Sequence, residues 1–171
     1  NKTPEKKAPN KPQEISIDRP APAVSKKLET NLMTEIVALE QQLAKTKTTS
    51  ERHVTLARRL AESYYELEHL KQGESLELTT KILNGEKSKS PQVSTWRAQR
   101  AKADDLRDKA QIRVTQLYRL IIDKHEEYSK LDEVLYYLAY EFEQQKASDP
   151  SDKAQVTKER QSKEKALATY L

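Results

Sequence analysis

The chain has 171 residues, of which 35% are hydrophobic and 34% charged, with two Gly, no Cys and a formal net charge of +4. Without Cys there is no disulfide, no thiolate nucleophile and no Cys-based zinc site, and no apolar run approaches the ~20 residues that cross a bilayer. β-Branched alternation is nowhere sustained, so the composition points to an elongated all-α chain with a large surface for its core.

Residues 1–25 carry five of the seven Pro and few apolar side chains, which reads as a disordered, partly polyproline-II linker. Residues 1–27 hold seven Lys/Arg against Glu5, Glu14 and Asp18. The entire net charge therefore lies there, and the remainder is balanced. The basic pI is a property of this segment, suited to a tether, and does not argue for nucleic-acid binding by the folded part. The helical domain is expected over 26–171.

A first helix is expected from Ser25 to Lys45. Leu28, Leu32, Ile36, Leu39 and Leu43 form its seam, with Met33 and Val37 beside them. Ser50 is placed to cap a second helix, Glu51 to Gln72, whose apolar face is Ala57, Leu60, Ala61, Tyr64, Leu67 and Leu70. Gly73 reads as its stop. A short helix from Glu74 to Leu83 follows, ended by Asn84-Gly85, and then a loop from Glu86 to Ser90. Ser90-Pro91 opens a long helix with no breaker before His125. Its first half alternates in sign (Arg97, Arg100, Lys102 and Arg107 against Asp104, Asp105 and Asp108), as on a solvated face. A further helix spans Leu131 to Lys146. After a turn at 147–149, Asp149-Pro150 begins a last one, whose apolar residues Ala166, Leu167, Tyr170 and Leu171 read as a pattern that continues beyond Leu171.

The organising stretch is Val114 to Phe142. Val114, Leu117, Tyr118, Ile121 and Ile122 form one helical stripe; Leu131, Leu135, Leu138, Ala139 and Phe142 form a second. The polar break from His125 to Lys130 is short, so the two helices fold back on each other. A repeat is visible: Leu60-Ala61-x-x-Tyr64 matches Leu138-Ala139-x-x-Phe142, and each is followed by a small residue or Val with Tyr four on (Val114 and Tyr118, Ala166 and Tyr170). Such units bury their faces only against copies of themselves. The pattern resembles the tetratricopeptide (TPR) repeats of bacterial envelope proteins. That resemblance implies antiparallel hairpins stacked as a solenoid. Glu126 stands where the family usually has Pro, and the hairpins are far longer than the ~13 residues a standard repeat leaves between these positions.

Catalytic and cofactor motifs are absent: there is no HExxH, EF-hand, Walker or GxGxxG pattern, and no Ser-His-acid grouping. His125-Glu126-Glu127 and Asp104-Asp105 read as a polar turn and a solvated face, not metal ligands. No enzymatic role, cofactor or metal is expected. Arg97 to Arg113 carries interleaved Asp and few aromatics, which argues against nucleic acid.

Glu133, Tyr136, Tyr140 and Glu143 share a face distinct from the apolar stripe, and the matching face of the second helix is Thr55, Arg58, Glu62 and Tyr65, with Glu66 beside it. The resemblance implies that these faces line a concave groove for a protein or peptide partner. The same Tyr residues would otherwise be core against neighbouring helices. Two function classes follow: a TPR-like scaffold in a larger assembly, or a coiled-coil structural protein acting through oligomerisation without a groove. The family flavour, the absent Cys and the start at Asn1 point to the periplasm or cell envelope, with the cytoplasm as the alternative.

Overall fold

The computed structural model describes residues 22–144 and residue 168, with side chains described over 26–143 and at 168. The expectations for residues 1–21, for the turn at 147–149 and for the last helix fall outside the described residues. Within them the chain is all-helical: α1 (Pro22–Lys45), α2 (Glu51–Lys87), α3 (Val93–Lys124) and α4 (Leu131–Gln144).

α1 starts at Pro22 rather than Ser25, which a first-turn Pro permits because its missing N–H has no intrahelical acceptor to lose. Ser50 caps α2 as its sequence position predicts, its side chain accepting the His53 backbone N–H at 3.2 Å. α2 then corrects the expected pattern. It does not stop at Gly73 or break at Asn84-Gly85; it runs 37 residues to Lys87, and the loop is 88–92. A Gly inside a helix costs ~1 kcal/mol relative to Ala. Ser75, Leu78 and Ile82 beyond it are buried, and their packing outweighs that cost. Leu78 and Ile82 face inward there, whereas Leu76 and Leu83 are 63% and 53% exposed.

The middle of the chain is a hairpin of two long helices, α2 and α3. Trp96 lies against Gly85, Ser75 Oγ donates to Asp104 at 2.7 Å, and His53 meets His125 at 3.0 Å, so α2 and α3 run antiparallel along their whole length. α1 lies antiparallel on α2. Lys71 Nζ, with a side chain only 5% exposed, reaches Glu29 at 2.7 Å and Glu74 at 2.8 Å. Further along, Arg59 pairs with Glu35 at 2.8 Å and the Tyr64 hydroxyl donates to Glu40 at 2.7 Å. α4 turns back on α3, with Arg119 over the Phe142 ring at 5.3 Å and Tyr118 stacked near Tyr137 at 6.2 Å. One core joins Ile36 of α1, Ala57, Leu60 and Ala61 of α2, Val114, Leu117 and Ile121 of α3, and Val134 and Leu138 of α4. Ala139 is also buried. The small residues at 61 and 139 leave room for close helix approach.

The two glycines differ in kind. A Cβ at Gly85 would sit 2.6 Å from Trp96 Cζ3 and 2.9 Å from Val93 Cγ2, whereas one at Gly73 meets nothing within 4 Å. Gly73→Ala is therefore expected to stabilise the fold by about 0.5–1 kcal/mol in dilute solution, from helix propensity alone. Gly85→Ala is expected to destabilise it by about 1–2 kcal/mol despite the same propensity gain, because an indole ring must move. Urea denaturation followed by circular dichroism reads both, and a common sign for the two changes would contradict the packing described.

Candidate functional site

α2 and α4 lie side by side on α3 and run parallel to each other: Arg58 faces Glu133 at one end, and Glu68 faces Glu141 at the other. Their backbones stay apart, and only side chains span the space between them. The face so formed carries the residues singled out from the sequence.

Arg58 is its hub. The guanidinium donates to Glu133 at 2.5 Å, to Glu62 at 3.2 Å and to the Tyr128 hydroxyl at 3.2 Å. Arg58, Glu62 and Glu133 are thus brought together by a charge-assisted network, and Tyr128, from the turn before α4, joins them unforeseen. The Tyr128 contact and the two carboxylates hold the Arg58 pKa above its ordinary value against the opposing effect of burial. Tyr65 is half-buried, its ring edge-on to His69 at 4.3 Å, and its pKa is raised above the ordinary value, first by burial and then by the nearby Tyr140. Tyr136 is 56% exposed and meets Tyr137 edge-on at 5.6 Å, while Glu143 is exposed at the far end. Tyr140 is half-buried. The Tyr residues therefore divide: Tyr118 is core, Tyr65 and Tyr140 line the face, and Tyr136 and Tyr137 stand at its edge.

Beneath the face lies a feature that the sequence reading missed. Glu68 and Glu141 are buried, at 8% and 1% exposure, in carboxyl–carboxyl contact, and Oε2 of each has no hydrogen-bond partner. Burial, then the Glu141 charge, push the Glu68 pKa up to about 8; burial pushes Glu141 up to about 7. Two buried carboxylates in contact resist ionising together, so near neutral pH the pair shares a proton, with Glu68 donating to Glu141 and Gln111 also donating to Glu141. The sequence signal was present in outline, since Glu141 lies three residues after Leu138 and directly before Phe142.

At the opposite end of the hairpin, His53 Nδ1 and His125 Nε2 are 3.0 Å apart, and both rings are held below the ordinary histidine pKa by burial, His53 also by its neighbour. His125 belongs to a turn, as expected, but is paired rather than merely solvated. His53 also borders a cleft of about 320 Å³ lined by Glu40, Leu43, Thr46, Thr48 and Arg113. Arg113 is already paired with Glu40 at 3.0 Å. Asp104 is likewise more than a solvated acid, because it accepts from Ser75 across the hairpin. No group of three or more His, Asp or Glu able to hold a metal occurs among the described residues, and no described helix is long and apolar enough to cross a membrane.

Compared with known families, curated proteins and solved structures, the chain matches no family model, no curated protein and no solved structure.

Proposed function

We propose that this chain is a non-enzymatic, TPR-like scaffold that binds a peptide or helix of a partner protein along the face between α2 and α4, within a larger assembly at the bacterial cell envelope. The observation that carries the proposal is the parallel pair α2 and α4, with long polar and aromatic side chains filling the space between separated backbones. Burial of Leu60, Ala61, Leu138 and Ala139 at equivalent places in the two helices supports the repeat reading. Tyr65, Tyr136 and Tyr140 offer rigid area with polar tips, and four carboxylates (Glu62, Glu66, Glu133, Glu143) outnumber Arg58 on this face. Such a surface suits a segment of mixed apolar and basic side chains.

Peptide display tests the proposal. Selection on the wild-type chain is expected to yield apolar-basic peptides whose affinity falls at least ~10-fold, or ~1.4 kcal/mol, with Tyr136→Ala and Tyr140→Ala combined, while the thermal transition stays within a few degrees. Peptides indifferent to the double change would place binding elsewhere. A variant that unfolds would assign these Tyr residues to the core.

A further inference from the structure

The distal part of α2 carries an outer face that the α2–α3 hairpin does not use. Gly73, Leu76, Thr80 and Leu83 follow steps of three, four and three, so they form one seam. All four are exposed, the two Leu at 63% and 53%. Gly73 is the odd member. Its φ is not positive, and a Cβ there would meet nothing within 4 Å. Nothing within the described chain needs its missing side chain, which weakens the helix; a bare backbone is useful to a surface arriving from outside.

We infer that this arriving surface is the same seam of a second copy of the chain, packed antiparallel about a two-fold axis level with Leu78. The register argues for it. Gly73 and Leu83 are centred on position 78, and so are Leu76 and Thr80. An antiparallel copy therefore seats each Leu83 on the partner copy's bare Gly73 and each Leu76 on a Thr80, large against small at every level. The charges argue for it too. Glu77 and Lys81 flank the seam, make no ion pair within the described chain, and are centred within one residue of the same point. The two-fold thus brings Lys81 of each copy beside Glu77 of the other. A parallel pairing would instead set Gly73 against Gly73 and leave a gap. The contact is small, so the dimer is weak and concentration-dependent. It does not rest on the proposed groove, which lies nearer the start of α2 and on α4.

Sedimentation equilibrium across the micromolar range is the test. The weight-average mass is expected to rise from 19.7 kDa toward twice that value. Gly73→Leu fills the seat and Leu83→Ala removes the knob, so each variant alone is expected to remain a single chain. Both replacements are good helix formers, and circular dichroism is expected to show undiminished helix. An equimolar mixture is expected to recover the two-chain mass, because Leu at 73 in one copy meets Ala at 83 in the other while the second seat is intact. A wild-type chain of single mass throughout, masses above two chains, persistent association of either variant, or failure of the mixture to associate would each overturn the inference.

Discussion

From about pH 4.5 to about pH 8 the buried carboxyl pair gives up stability, on the order of several kcal/mol, and Glu68→Gln removes a large part of that loss. The sign follows from the direction of the shifts. Glu68 and Glu141 have folded pKa values raised above the ordinary carboxylate value of 4.5, to about 8 and about 7. Their contribution is fully present below the unfolded value and is lost as pH rises through the folded ones, because each proton released leaves a charge in an apolar site. Arg107 and Asp108 act on Glu68 from α3 with opposite signs, Gln111 donates to Glu141, and the Tyr65 and Tyr118 hydroxyls face the pair without titrating in this window. An amide at position 68 donates to Glu141 without needing a proton, so the slope flattens. On the acid side the three histidines act the other way. His53, His69 and His125 have pKa values lowered from 6.5, so their contribution is present above that value and lost as pH falls through the folded ones. The two arms overlap below pH 6.5 and oppose each other there, so the carboxyl loss is expected to be read cleanly between about pH 6.5 and pH 8. Urea titrations at a series of pH values read it, and a wild-type slope near zero above neutrality, or an unchanged slope in Glu68→Gln, would refute the shared proton.

Leu60→Ala is expected to cost about 3–4 kcal/mol, the range for a leucine truncated where neighbours cannot collapse into the void. Leu60 is 0% exposed, between Ala57 and Ala61, which are also fully buried, and it belongs to the core that all four helices share. The same truncation at Leu76, 63% exposed on the same helix, is expected to cost under about 0.5 kcal/mol in dilute solution. Equal losses at the two sites, measured by chemical denaturation, would mean that Leu60 is not the central contact described.

The contrast between Leu60 and Leu76 also shows what could be read from the sequence alone. Periodicity identified the inward stripe near Leu60 and again near Leu138, and it gave the ends of α3 and the start of α4 closely. It failed around Gly73, where a local stop signal of about 1 kcal/mol competed with burial of Leu78 and Ile82 on a helix distant in sequence. For the candidate site, Arg58, Glu62 and Glu133 were legible as one face because helical spacing is a local property. Glu68 with Glu141 and His53 with His125 were not. Each pair is separated by more than seventy residues, and a lone charged or imidazole side chain reads as solvated until tertiary structure supplies its neighbour.

The separated backbones of α2 and α4 have one more consequence. One end of this helix pair is fastened by an ion pair at 20% and 42% side-chain exposure, Arg58 with Glu133, and the other by a proton held between two buried carboxyls. Dissolved electrolyte weakens the first fastening and leaves the second untouched, whereas base loosens the second and spares the first. The two ends of the α2–α4 pair are therefore sensitive to different solvents, one to salt and the other to base.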